Sequence, residues 1–360
     1  MFLQQVFLPL IYRRYRGQQT DDRLVVFADA HNDTMPASME PLCQAMEEDG
    51  YHVVKCISDY GSQSFSESTK QMIAFMKLYA KAKYVVICDY FLPVSSCSKR
   101  EETKVIQLWH AGGAFKKFGY DAPDDIPPYY KGSVTKNYDL VSVSAPRCIP
   151  FYASAFRLPE EKVEPLGVCR TDIFFDRAYL AACRKAFDAQ YPEDAGKKLL
   201  LWAPTFRGNA GDPVTLGFDA VAALQAQLGD GWKVLIKLHP HAEQKTPRSN
   251  CTIPTQQLLP ITDLLVTDFS SILFDYSLFG RPAVLFAPDY DSYAADRGFY
   301  LDCKKDLPYP VVTENDGLYD AVQHAIHASS KEQIEIFRHA YMENCDGHAT
   351  ARILNRMKAL

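Results

Sequence analysis

Short, nearly unbroken apolar runs rich in β-branched residues alternate with segments of helical spacing, and the pattern occurs twice along the chain. Residues 24–30 (LVVFADA), 52–58 (HVVKCIS), 84–90 (YVVICDY), 105–110 (VIQLWH) and 140–144 (LVSVS) form the first set. Residues 199–203, 234–238, 264–267, 283–286 and 311–312 form the second. A strand covered on both faces reads as a continuous apolar run, as strands of parallel sheets do. Helical patterns at 35–48 and 66–81 supply crossovers between the first strands. The alternation predicts an α/β fold of two Rossmann-like, doubly wound domains facing across a cleft. The 360 residues suit two domains at roughly 150 each. The expected bounds are 1–172 for the first domain, 173–196 for a linker helix and a break at Pro192 and Gly196, and 197–345 for the second. A last helix at 346–360 packs either on the second domain or back on the first.

Composition removes several classes of function. Lysine and arginine number 39 against 44 aspartates and glutamates, a net charge of −5. That balance argues against a dedicated nucleic-acid binder, which carries a basic excess. Ten cysteines include no CxxC pair and lie mostly inside apolar runs, the setting of reduced, buried thiols and of a cytoplasmic protein. The N-terminus carries Phe2, Leu3, Val6, Phe7, Leu8, Leu10 and Ile11, followed by Arg13, Arg14 and Arg16. The stretch is too short to span a bilayer, and its charges follow the apolar part, the reverse of a signal peptide. Two readings stand: an amphipathic helix on an anionic membrane surface, or a first helix packed on its own domain.

Ligands of open α/β sheets bind beyond the carboxyl ends of the strands, and the unusual polar residues of this chain fall there. His31 and Asn32 follow the first run, His110 with Gly112 and Gly113 the fourth, and Pro204, Thr205 and Arg207 the run at 199–203. Lys237, His239 and Asp268, Ser270, Ser271 end the next two. Ser270 and Ser271 open an apolar helical pattern, where serine either caps the helix or helps its free amides hold phosphate. Asp275, four residues beyond Ser271, projects from the same face. The glycines after His110 allow backbone to approach a ligand. They form neither a Walker A loop nor a dinucleotide fingerprint. A histidine at a strand end either serves as a general base near neutral pH or is a structural residue bonded to backbone. Arg297 and Gly298 follow a loop rich in tyrosine and aspartate and could also reach a site.

Taken in order, the motifs QLWH (107–110), KKFG (116–119), GVCRTD (167–172), APTFR (203–207), KLHP (237–240), TDFSS (267–271) with Asp275, RP (281–282), RGFY (297–300) and DG (346–347) resemble the CDP-glycerol glycerophosphotransferase family. The family comprises polyol-phosphate transferases of wall teichoic acid and capsule synthesis. The resemblance implies a GT-B fold and a CDP-polyol donor, CDP-glycerol ahead of CDP-ribitol. It implies a lipid-linked acceptor at the inner face of the bacterial plasma membrane, and no metal or other cofactor. It assigns His110 and His239 as catalytic. Gly112, Gly113, Arg170, Pro204, Thr205, Lys237, Ser270, Ser271 and Asp275 bind the donor, with Arg207, Asp268, Arg297 and Gly298 as secondary candidates. The loop after His110, HAGGAFK, departs from the family's HGTPLK by one extra residue and lacks its threonine.

The implied chemistry is attack of an acceptor hydroxyl on the β-phosphorus, with CMP leaving. Positioning and charge stabilisation carry such reactions. Two other functions fit the same fold, since fold does not set function: a nucleotide-sugar glycosyltransferase, and a catalytically silent scaffold of envelope synthesis.

Overall fold

Parallel strands in the order 2-1-3-4-5 recur in each of the two units of the computed structural model, which describes residues 2–123, 125–126, 132–209 and 212–360. The side chains of Asn209, Pro240 and His241 lie outside the described set.

The first unit comprises Met1–Gly112, Phe118–Asp172 and Glu343–Leu360. Its sheet contains β1 (Asp21–Asp29), β2 (His52–Ile57), β3 (Ala82–Ile87), β4 (Lys104–Gln107), β5 (Leu140–Ser142) and β6 (Val163–Glu164), in the order β2-β1-β3-β4-β5-β6. Every pairing is parallel. Val25, Phe27, Val86, Ile106 and Leu140 line one buried face against Leu42 and Met46 of helix α2 (Glu40–Glu48). The C-terminal helix Ala349–Lys358 completes this core with Ile353 and Met357, and Tyr84 Oη donates to the Met357 carbonyl at 2.8 Å. It is therefore part of the first unit. Asp172 caps it from far away in the chain, accepting from Ala349 N at 2.9 Å and Thr350 N at 2.8 Å. A carboxylate there satisfies orphan amides and meets the positive end of the helix. Asp172→Ala should lower stability by about 0.5–2 kcal/mol in urea unfolding.

Helix α1 (Leu8–Tyr15), entered through a π-helical turn at Leu3–Phe7, lies against α3 (Phe65–Tyr79). Leu8 and Tyr12, four apart and so on one face, are buried, and Tyr12 Oη accepts from Arg100 N at 2.9 Å. Phe2, Val6 and Leu10 remain exposed. The two readings of this segment are thus compatible: one face packs and the other stays open. Among the described residues, no helix is long and apolar enough to cross a membrane.

The second unit comprises Gly113–Lys117 and Ile173–Met342. Its sheet is ordered β10-β7-β11-β12-β13, with β7 (Lys198–Ala203), β10 (Trp232–Ile236), β11 (Leu264–Thr267), β12 (Ala283–Phe286) and β13 (Val311–Val312). A short antiparallel hairpin, β8 (Arg207–Asn209) and β9 (Asp212–Val214), follows β7. The core joins Leu200, Trp202, Val234, Val266, Val284 and Phe286 to helices Phe218–Leu228 and Leu318–Ala328. Three bounds differ from the sequence reading. The segment 173–196 belongs to the second unit rather than to a separate linker, because Tyr179 on helix Arg177–Gln190 bonds the Gln256 carbonyl. Residues 343–345 join the first unit, and Gly113–Lys117 join the second.

Candidate active site

In both sheets the strand order reverses beside the first strand of the unit, the place where doubly wound sheets open a crevice. In the first unit that point lies between β1 and β3. Asp29, buried at the end of β1, accepts from His31 N at 2.9 Å, Asn32 N at 2.8 Å and Asn32 Nδ2 at 2.9 Å, and so shapes the turn. Asp89, two residues past β3, lies 3.3 Å through Oδ2 from His110 Nδ1. A carboxylate on Nδ1 holds the imidazole in the tautomer that leaves Nε2 to take a proton. Burial pushes the Asp89 carboxyl up, but the hydrogen bond from His110, the nearby charges of His110 and His31, and the Tyr90 amide hold it below the ordinary carboxylate range. Asp89 therefore stays an acceptor wherever histidine titrates.

The backbone at His110 is held from beneath. Gln107, fully buried, donates from Nε2 to the Asp89 carbonyl at 3.1 Å and accepts from Trp109 N at 2.9 Å. Trp109 has φ 56°, the left-handed region, which a bulky residue adopts only when its surroundings impose it. Its ring stacks on Phe118 at 5.0 Å and meets Tyr90 and Phe156 edge-on. β4 ends at Gln107, so the expected strand through residue 110 stops three residues early. The turn delivers His110 with half of its side chain exposed (51%). Burial, with the charges of Asp29 and Asp89, pushes up the Cys88 thiol just past β3, against the opposing charge of Arg170. Gly112 is buried at the edge of this unit.

In the second unit the reversal lies between β7 and β11, and Thr205 and Asp268 meet there. Thr205 donates to Asp268 Oδ1 from N at 2.8 Å and from Oγ1 at 2.9 Å. Arg207 forks onto Asp289, Nε to Oδ2 at 2.6 Å and Nη2 to Oδ1 at 2.8 Å. Its Nη1 reaches Asp268 Oδ2 at 2.9 Å and Thr205 Oγ1 at 2.8 Å. The guanidinium also lies over the Tyr293 and Phe269 rings. Burial alone would lower the Arg207 pKa, but Asp289 and Asp268 raise it above its ordinary value. Burial pushes Asp268 up, against the pull of Arg207 and Thr205. Arg207 is thus a strut that ties two strand ends together rather than a cation held out to phosphate.

Ser270 and Ser271 precede the helix Ile272–Ser277. Ser270 Oγ accepts from Ile272 N at 3.4 Å, whereas Ser271 makes no side-chain capping bond. The helix is only six residues long, so its dipole is small and the hydroxyls and first amides are what it offers an anion. Asp275 is buried on the same helix. Gly113 (φ +66°) presses on that helix: a Cβ there would lie 2.3 Å from the Phe274 ring. The close approach that requires glycine at 113 is therefore to Phe274.

Arg297 and Gly298 serve this loop as well. Arg297 Nε donates to the Lys117 carbonyl at 3.2 Å, Lys117 N to the Gly298 carbonyl at 3.1 Å, and Tyr300 N to the Phe115 carbonyl at 2.9 Å. They fasten residues 113–117 as a short antiparallel bridge between Lys116 and Phe299. Lys237 Nζ donates to the Cys251 carbonyl at 3.1 Å. His239 is exposed, with its ring 5.0 Å from Phe206. Pro204 follows β7 directly. Sequence reasoning missed Asp89, Gln107 and Asp289. Asp89 ends an apolar run and could have been found by the strand-end rule that singled out His110. Among the described residues, no group of three histidine, cysteine or acidic side chains is placed to hold a metal ion.

The chain is 35% identical over 300 residues to the teichoic acid ribitol-phosphate primase of Bacillus spizizenii, covering 78% of this chain and 76% of that protein. It is 26% identical over 304 residues to the teichoic acid glycerol-phosphate primase of Bacillus subtilis, covering 80% of this chain and 77% of that one. Against the poly(ribitol-phosphate) polymerase of Bacillus spizizenii, 32% identical, it spans 81% of itself but only 49% of the polymerase. The wall teichoic acid polymerase TagF superposes with a TM-score of 0.78 at 20% identity, over 98% of this chain and 92% of that chain. MnaA of S. aureus, solved with UDP, gives a TM-score of 0.58 at 14% identity, over 93% and 96%. These likenesses show a GT-B-type fold. The sequence pattern of one family matches residues 10–359: the chain belongs to the CDP-Glycerol:Poly(glycerophosphate) glycerophosphotransferase family.

Proposed function

We propose that this enzyme transfers a polyol phosphate from a CDP-polyol to a hydroxyl of a lipid-linked teichoic acid precursor, releasing CMP, and that the polyol is ribitol. The observation that carries the reading is the pairing of His110 Nδ1 with Asp89 at 3.3 Å, in a member of this family. His110 Nε2 takes the hydroxyl proton as the oxygen bonds to the β-phosphorus. The bond from that phosphorus to the bridging oxygen breaks, and CMP carries away the electron pair. Ser270, Ser271, Lys237 and Arg170 meet the diphosphate as charge builds on the leaving group. Asp275, of the wrong sign for phosphate, meets a hydroxyl or the nucleoside. His239 and Thr205 complete the donor site, and no metal takes part.

Ribitol is preferred over glycerol because identity is 35% and 32% to the ribitol-phosphate enzymes of Bacillus spizizenii, against 26% to the glycerol-phosphate primase of Bacillus subtilis. The test is CMP release from CDP-ribitol, CDP-glycerol and, as a control for sugar transfer, UDP-N-acetylglucosamine, each with a lipid diphosphate acceptor. CDP-ribitol should turn over fastest, with or without EDTA. Faster turnover of CDP-glycerol would reverse the polyol assignment, and turnover of the UDP-sugar alone would overturn the reaction. The enzyme works on the anionic inner face of the membrane, held there by Arg13, Arg14 and Arg16, which stand exposed.

A further inference from the structure

The first unit contains a pocket of about 850 Å³ lined by none of the residues given a role in the proposed transfer. Its size falls within the range of small-ligand sites, roughly 300–1,000 Å³. Leu3 and Phe7 wall it on the N-terminal side, Phe65 and Met72 on the side of α3, and Leu92 and Pro93 beyond β3. Five of the eight large apolar side chains found exposed among the described residues stand on these same segments: Phe2, Val6, Leu10, Phe65 and Leu92. Apolar exposure gathered in one place marks an interaction site, whereas scattered single residues mark nothing.

Charge is distributed along the same helix. Phe7, Leu10 and Arg14 follow one another at spacings of three and four, so one face runs from apolar to cationic. Arg13 and Arg16 stand exposed beside Arg14. Lys77 of α3 lies over the Tyr15 ring at 5.6 Å and adds a fourth cation at that end. Inside the pocket the charged lining residue is Asp59, accompanied by His31. An anionic headgroup is therefore disfavoured within the pocket and favoured at the arginines.

We propose that this pocket takes one acyl chain of an anionic phospholipid, whose phosphate rests against Arg13 and Arg14. A hydrocarbon chain matches the walls, and the exposed rim enters the bilayer interface from which the chain is drawn. The inference rests on the reading that the enzyme works at a membrane surface, and gives that surface a specific lipid contact.

The test uses the full chain and dioctanoyl phosphatidylglycerol below its micellar concentration, read by native mass spectrometry. One lipid per chain should bind saturably, and dioctanoyl phosphatidylcholine should bind more weakly. Phe65→Asp and Met72→Trp should abolish binding, and Arg13→Glu with Arg14→Glu should weaken it by about tenfold or more. Phe65 is 75% exposed, so Phe65→Asp keeps its fold even if Met72→Trp does not; thermal melts check both. No saturable binding, or binding unchanged in Phe65→Asp, would overturn the proposal. So would stronger binding of farnesyl phosphate, which would give the pocket to a prenyl carrier. Wild-type CMP release with a water-soluble acceptor reads the transfer reaction alone, so failure of the pocket and failure of the proposed reaction are told apart.

Discussion

His110→Ala should reduce single-turnover CMP release by about 10²- to 10⁴-fold, the range for loss of a positioned general base, while affinity for the CDP-polyol stays nearly unchanged. The side chain is half exposed and touches Asp89 at 3.3 Å, so its removal opens no cavity. Stability should stay within about 0.5 kcal/mol of wild type. Asp89→Asn should lower the rate by a smaller factor, because the amide keeps a partner near Nδ1 but does not hold the tautomer. It should also alter the acid limb of the pH–rate profile, which a purely structural contact would not. Wild-type turnover in His110→Ala would remove His110 as the base and leave His31 or His239 to be tested in its place. A collapse of the thermal melt would make His110 a structural residue.

Arg207→Met should destabilise the second unit strongly. It strips the partner from Asp268, 5% exposed, and from Asp289, 20% exposed. Removing one member of a buried ion pair costs about 3–5 kcal/mol, because the remaining charge stays buried without compensation. Adding Asp268→Asn should recover part of the loss, since one of the stranded charges is then gone. Arg207→Lys should rescue little, as an ammonium cannot fork onto Asp289 and reach Asp268 and Thr205 together. Urea midpoints of the four proteins decide the matter. If Arg207→Met melts like wild type but loses donor affinity, Arg207 contacts the donor after all.

The twice-repeated α/β pattern was legible because strands covered on both faces must be apolar along their whole length. The runs 264–267, 283–286 and 311–312 correspond residue for residue to β11, β12 and β13. Strands without an apolar run, β6 as a Val–Glu pair and the β8–β9 hairpin with its glycine, asparagine and proline, left no trace in the composition of their segments. Helices Ile149–Phe156, Phe218–Leu228 and Leu318–Ala328 were also passed over. The first is nearly all apolar, and such a helix shows little periodicity.

The same division runs through the site. A one-dimensional rule, that ligands gather at strand ends, located His110, Thr205, Asp268, Ser270 and Ser271. It could not reveal how those residues are used, because their partners lie far off in sequence. Arg207 reaches Asp289 across 82 positions, Asp172 caps a helix 177 positions on, and Arg297 holds the Lys117 carbonyl across 180. Local spacing carries burial and periodicity, which depend on neighbours three or four residues away. Ion pairs, caps and loop anchors depend on which strand ends the sheet order sets side by side. That order is set by the packing of the whole unit: it ties Arg207 to Asp268 and Asp289, ties Arg297 to the Lys117 carbonyl, and makes Asp89, read only as the tail of an apolar run, the partner of His110.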